Sequence, residues 1–90
     1  MRSLVFTVYD AAADAFMQPF FSVSRGHAMR SFSELVNDPK HPIGKYPEQY
    51  RLHYLGAYDD ASGKFELEPS PVSLGSGVEY KGPASKNEVV

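Results

Sequence analysis

Residues 25–37 carry an apolar pattern that repeats at helical spacing, and this segment constrains the fold more than any other. One stripe of the segment is apolar and contains Ala28, Phe32, Leu35 and Val36. Ser24 is a good helix N-cap, and Asn37-Asp38-Pro39 is a clear stop signal. A single amphipathic helix needs an apolar surface to cover. The segments on both sides must therefore supply that surface.

The first half of the chain contributes two strand patterns before the helix. Residues 3–9 alternate with apolar side chains on both faces, which is typical of a central strand covered on at least one face. Residues 15–23 are rich in aromatic side chains but contain Pro19, which cannot donate a ladder hydrogen bond. The sequence therefore predicts an edge or bulged strand there.

The second half predicts a hairpin. Residues 50–58 alternate cleanly, and residues 59–63 (Asp-Asp-Ala-Ser-Gly) form a strong turn signal. Residues 64–68 return as a short strand with Phe65 and Leu67 facing inward, and Pro69 and Pro71 are predicted to end it. Residues 39–49 have the composition of an ordered loop, with a short helical turn at 47–49.

The predicted fold is α+β with the order ββαββ. It is a four-stranded antiparallel sheet with the helix on one face. Residues 1–81 are expected to form a single domain, with spaced apolar residues after 71 docking a short C-terminal segment onto the core. Residues 82–90 are polar and unpatterned, which predicts a disordered tail.

Composition excludes several classes of protein. The chain has no cysteine, so disulfides and thiolate metal sites are excluded, which fits a reducing cytoplasm. No apolar run approaches the roughly 20 residues of a membrane span. The net charge of −2 argues against strong non-specific binding to nucleic acid. However, residues 24–58 carry five Lys and Arg against three acids, so a local basic face is possible.

No pattern predicts catalysis, a metal or a cofactor. His27, His41 and His53 lack the spacing of a zinc helix. No serine lies in a Gly-x-Ser-x-Gly turn. The glycine-rich stretch Ser73–Gly77 lacks the lysine of a phosphate-binding loop. We expect a protein that is not an enzyme.

The tyrosines of the second hairpin suggest a binding surface. If residues 50–58 form a regular strand, Tyr50, Tyr54 and Tyr58 share one face and could stack on the bases of single-stranded DNA. Nearby cations would then contact phosphates, and the candidates are Arg25, Arg30, Lys40, Lys45 and Arg51. The commoner use of such rings is packing under the helix or in a dimer interface.

One helix covers one face of a four-stranded sheet and leaves the other open. That face would present apolar side chains such as Val5 and Tyr9 to water. Exposed apolar patches of this kind usually mark a partner surface. A two-fold homodimer would cover it, and the same surface could equally bind DNA.

Several phrases of the chain resemble the small non-structural protein of gokushovirus-type microviruses, phages with circular single-stranded DNA genomes. The resemblance covers about residues 4–80 and rests on Val8-Tyr9-Asp10, Pro19-Phe20-Phe21, Val36-Asn37-Asp38-Pro39, Tyr46-Pro47-Glu48-Gln49-Tyr50, Leu55–Asp60 and Pro71-Val72-Ser73-Leu74-Gly75. It implies a protein made in the host cytoplasm, absent from the virion, and active in viral DNA replication at the switch to single-strand synthesis. It implies no cofactor and no enzymatic activity.

The resulting functional prediction is a phage protein that binds single-stranded DNA during genome replication, as a dimer. The alternative is a protein-interaction adaptor that contacts a viral or host replication protein or a procapsid component, without binding DNA. Basic and aromatic residues converging on one exposed face would favour the first. A flat apolar face with scattered charges would favour the second.

Overall fold

The computed structural model describes residues 1–81, and these residues form one antiparallel sheet with short helices on one side. The two central strands are β1 (Arg2–Asp10) and β4 (Tyr50–Asp59). Strand β5 (Lys64–Ser76) forms one edge beside β4, whereas β2 (Ala15–Phe16) and β3 (Phe20–Ser22) both pair with β1 at the other edge. The predicted α+β class with an antiparallel sheet is confirmed.

Helix α1 (Arg25–Val36) begins and ends where its capping residues predict. The Ser24 hydroxyl accepts a hydrogen bond of 3.1 Å from the His27 amide, which satisfies one free N–H group of the first turn. At the other end, Asn37 Nδ2 donates to the Ser33 carbonyl at 2.8 Å. The three fully covered side chains of α1 belong to the predicted stripe.

Three further helical turns surround α1. They are α2 (Pro42–Lys45), a 3₁₀ turn at Pro47–Gln49, and a turn over residues 77–81. The 3₁₀ turn was predicted, because proline favours the first position of a helix. The sequence did not predict α2 as a helix. None of the helices within residues 1–81 has the length and apolar character needed to span a bilayer.

The core lies between α1 and the face of the sheet that carries the even-numbered residues of β1. Its covered side chains are Phe6, Val8, Ala28, Phe32, Val36, Ile43, Tyr50 and Leu52. Tyr80 closes the core from the C-terminal side, because its ring packs edge-on 5.1 Å from Phe32 and its hydroxyl donates to the Leu74 carbonyl at 2.6 Å. The predicted docking of the C-terminal segment is therefore confirmed for Leu74 and Tyr80, whereas Val78 is exposed.

The edge strands differ from the prediction at their prolines. The segment 15–23 divides into β2 and β3 around Pro19, so it is two short strands rather than one. The predicted end of the last strand at Pro69 and Pro71 is wrong, because β5 continues to Ser76. Residues 68–71 have no partners in the β4–β5 register, and β5 is an edge strand, so neither proline removes a ladder hydrogen bond.

The β4–β5 turn forms as predicted. The Gly63 amide donates to the Asp59 carbonyl at 2.8 Å, and the Asp59 carboxylate accepts from the Ala61 amide at 3.0 Å. Gly63 has φ of +73°, a conformation that a residue without a Cβ adopts at low cost. The predicted tail at residues 82–90 lies outside the described residues.

Candidate nucleic-acid interface

The sheet has one face away from α1, which we call the open face. Side chains alternate along β1, so Phe6 and Val8 point into the core while Val5, Thr7 and Tyr9 point to the open face. Val5 and Thr7 are buried there, contrary to the expectation that Val5 is exposed. The Thr7 hydroxyl donates to the Met17 carbonyl at 2.7 Å, which satisfies its buried oxygen.

A β-bulge at Leu55 decides which tyrosines reach the open face. Phe6 pairs with Tyr54 and Val5 pairs with Gly56, so Leu55 is an extra residue in β4. One extra residue reverses the faces of all side chains that follow it. Tyr54 therefore lies on the core side and Tyr58 on the open face. The prediction that Tyr50, Tyr54 and Tyr58 form one row is wrong.

Tyr50 and Tyr54 belong to the core side. Tyr50 is only 9% exposed, and burial raises the pKa of its hydroxyl, with a smaller contribution from the charge of Asp10. The Tyr54 ring lies 5.5 Å from the Phe6 ring, and the Arg25 guanidinium carbon lies 4.9 Å from the Tyr54 ring centroid. Packing under the helix, the commoner use of such rings, applies to both. Neither ring is free to stack on a base.

Three rings meet on the open face near the end of β1, and we call them the His53 cluster: Tyr9, Phe16 and His53. The Phe16 centroid lies 5.0 Å from that of Tyr9 and 5.4 Å from that of His53. Phe16 is 50% exposed, so one side of the cluster faces water. The Tyr9 hydroxyl donates to the Asp14 carboxylate, and this hydrogen bond is the main reason that the pKa of Tyr9 is raised.

A second group lies on the open face toward the β4–β5 turn, and we call it the hairpin patch: Phe21, Tyr58, Phe65 and Leu67. The Tyr58 ring lies 5.9 Å from Phe21 and 4.9 Å from Phe65. Leu67 follows on the same face, since it pairs with Gly56, the open-face neighbour of Val5. The prediction that Phe65 and Leu67 face inward is wrong, because they are 53% and 62% exposed.

Among the Lys and Arg residues in the strands of residues 1–81, Arg51 is the one that lies on the open face. It pairs with Tyr9 in the β1–β4 register, and its Nη1 donates to the Ser73 hydroxyl at 3.4 Å. His53 adds little charge near neutral pH. Burial lowers its pKa below the usual 6.5 and outweighs the hydrogen bond to the Arg51 carbonyl, which raises it; the charge of Arg51 lowers the pKa slightly further. The face is therefore aromatic with one permanent cation.

The other predicted basic residues lie on the α1 side of the sheet. Arg25 opens α1, and Arg30 in the same helix lies 3.9 Å from the Glu34 carboxylate. Lys45 ends α2, and Lys40 lies in the connection before it; both are exposed. The structure thus divides the predicted cations between two sides. Arg25 lies against the Tyr54 ring on the α1 side, whereas Arg51 lies beside the rings of the open face.

The described part of the chain offers a surface rather than a cleft. Residues 1–81 enclose no pocket, and no group of three His, Asp or Glu side chains within them could hold a metal ion. A ligand that fits such a surface must lie flat against it. Exposed rings beside a cation are suited to stacking against flat ligands, including nucleic-acid bases.

Comparison with known protein families shows what kind of protein this chain resembles. The family model described as Phage ORF5 protein matches residues 3–80. The chain belongs to this phage protein family. The match confirms the resemblance to a small phage protein, while the narrower assignment to gokushovirus-type viruses stays a prediction. No curated protein and no solved structure matches the chain significantly.

Sequence reasoning missed three aromatic members of the open face in this phage family protein, Phe16, Phe21 and Phe65. Two of them lie directly opposite another ring on a neighbouring strand: Phe16 opposite Tyr9, and Phe65 opposite Tyr58. Phe21 pairs with Val5. Only the strand register reveals these neighbours. The single available signal was the density of aromatic residues in segment 15–23.

Proposed function

We propose that this phage protein binds single-stranded DNA during viral genome replication, and that bases stack on the His53 cluster. The observation that carries the proposal is the half-exposed Phe16 ring, which packs against Tyr9 and His53, with Arg51 opposite Tyr9 in the strand register. Stacking suits single-stranded DNA because its bases are free of partners. The family match supports a phage protein. The replication role, the host cytoplasm as location and absence from the virion are proposed together with it.

The charge distribution predicts how such binding would work. With one permanent cation on the open face and a net charge of −2, phosphate contacts contribute little, so stacking must supply most of the affinity. Stacking is tolerant of sequence because every base has a flat face. We therefore propose binding with little preference for base sequence and with modest affinity.

The test is fluorescence anisotropy of a labelled poly-dT oligonucleotide titrated with protein at low salt. Saturable binding is expected, and Phe16→Ala should weaken it by about 5- to 150-fold, which corresponds to about 1–3 kcal/mol per stacked base. Tyr46→Ala is the matched control, because Tyr46 is an aromatic side chain of nearly equal exposure, 51% against 50%, in the connection after α2. Circular dichroism establishes that both variants are folded.

Two results contradict the proposal. If no saturable binding occurs at roughly tens of micromolar protein and low salt, single-stranded DNA is not the ligand. Equal losses in Phe16→Ala and Tyr46→Ala would show that bases do not stack on the His53 cluster.

A second candidate function is a protein-interaction adaptor that contacts a viral or host replication protein or a procapsid component. The observation in its favour is the same scarcity of cations, because the strands place a single Lys or Arg on the open face of residues 1–81. Protein interfaces are rich in aromatic side chains and poor in Lys. The anisotropy titration separates the two, since an adaptor gives no signal with DNA alone.

A further inference from the structure

The hairpin patch differs in chemistry from the His53 cluster on the same face. It draws on three strands, with Phe21 on β3, Tyr58 on β4, and Phe65 and Leu67 on β5. Strand β1 lies between β3 and β4, and the Phe21 and Tyr58 rings meet above it. Phe21 is 57% exposed, which is similar to the two side chains on β5. The largest apolar patch of a monomeric protein is often functional, so a contiguous apolar surface of this kind is a candidate contact site.

The charged side chains that have register partners at this end of the sheet lie on the reverse face. Arg2 has the same parity as Phe6 and pairs with Asp59, which in turn pairs with Lys64. Glu66 also points to the reverse face, where its carboxylate accepts from Arg2 Nη1 at 2.7 Å. The patch itself therefore presents aromatic and aliphatic surface without a formal charge. It offers no cation to a phosphate group.

We propose that the hairpin patch is the contact surface between two copies of this chain, related by a two-fold axis. A two-fold interface places the same patch of each copy against the other, so a patch that carried charge of one sign would face the same charge on its partner. A patch without charge is complementary to itself. Stacked and tilted rings such as Tyr58 and Phe65 also pair favourably with identical rings across an axis.

The size of the patch sets the strength expected of the dimer. An aromatic side chain covers about 150–250 Å² when buried, so half-exposed members of the patch each have roughly 100 Å² left to bury. The three half-exposed members and the more buried Tyr58 together give roughly 300–400 Å² per copy, at most half the roughly 800 Å² per partner of a standard interface. The dimer should therefore be weak and reversible, with a dissociation constant on the order of tens of micromolar.

This proposal is independent of DNA binding, because the two aromatic groups occupy different ends of the open face. The patch lies at the level of Ser3 and Val5 on β1, and the His53 cluster lies at the level of Thr7 and Tyr9. The centres of the two groups are four residues of strand apart, about 13 Å. Contact between hairpin ends leaves both His53 clusters uncovered, so a dimer presents two of them.

The experiment is sedimentation equilibrium over about 5–500 µM protein, a range that brackets the expected dissociation constant. The wild-type mass should rise from the 10.0 kDa of one chain toward twice that value. Phe65→Ser and Leu67→Ser should each stay monomeric, since both side chains are exposed and neither change disturbs the core. Val78→Ser is the matched control, because Val78 is 56% exposed, lies outside the patch and should leave the dimer intact.

Every outcome decides the proposal. A wild-type protein that stays monomeric across the range overturns it, and so do variants that dimerise as the wild type does. Each variant is also titrated with poly-dT, and a dimer contact predicts that the affinity per chain stays within about two-fold. A monomeric wild type whose DNA binding is lost in Leu67→Ser would assign the patch to nucleic acid instead.

Discussion

The salt dependence of DNA binding distinguishes the open face from the basic residues on the α1 side. For single strands, the logarithm of the binding constant falls with the logarithm of salt concentration by about 0.7 per phosphate contact. The open face holds one permanent cation, Arg51, so the expected slope is about −0.7. A ten-fold rise in salt should then weaken binding by only about 5-fold.

Binding to the opposite side of the molecule, the α1 side, would depend much more steeply on salt concentration. Its candidate cations are Arg25, Arg30, Lys40 and Lys45. Four phosphate contacts give a slope of about −2.8, which is about a 600-fold loss over the same ten-fold rise in salt. The two interfaces thus differ by about a hundred-fold in an easily measured quantity.

The assay is the poly-dT anisotropy titration, repeated at about five salt concentrations with the wild-type protein and two charge variants. Arg51→Ala should bring the slope close to zero. Lys45→Ala is the matched control, because it removes an exposed cation on the α1 side, and its slope should equal that of the wild type. A wild-type slope near −2.8, or a shallower slope in Lys45→Ala alone, would refute the open-face site.

Two further predictions concern stability. Gly56 has φ of +147°, and a Cβ there would lie 2.3 Å from the Glu66 carbonyl oxygen, so Gly56→Ala should lower the free energy of unfolding by at least about 2 kcal/mol in urea denaturation. Gly26→Ala is its control, because nothing lies within 4 Å of a Cβ added at Gly26 in the first turn of α1. This change should raise the free energy of unfolding by about 0.4–1 kcal/mol. Equal effects of the two changes would disprove the Leu55–Gly56 geometry. The second prediction concerns His53, whose pKa in the folded protein is lowered from 6.5 by burial. The unfolded chain therefore binds the proton more tightly than the folded protein. The contribution of His53 to the free energy of unfolding is fully present above pH 6.5 and is lost as the pH falls below that value. Urea midpoints from about pH 8 to pH 5 should fall less in His53→Gln than in the wild type, and parallel curves would show that His53 is not desolvated.

Local sequence determined the elements whose hydrogen bonds are made by near neighbours. Ser24 caps α1 three residues ahead of its partner amide, and Asn37 closes the helix through a carbonyl four residues back. The turn after β4 likewise depends on Asp59 and on Gly63 within the same five residues. These interactions are complete within a short segment, so the residue types alone predict them.

The tertiary structure decided which faces the side chains occupy. The even spacing of Tyr50, Tyr54 and Tyr58 predicts one row, but the extra residue Leu55 sends Tyr58 to the opposite face. Pro69 and Pro71 predict the end of a strand, yet β5 passes them because its outer edge has no ladder to break. Bulges and edge positions are set by pairing with strands far away in the chain. The sequence therefore determined the α+β class and its turns, whereas strand register assembled the aromatic open face.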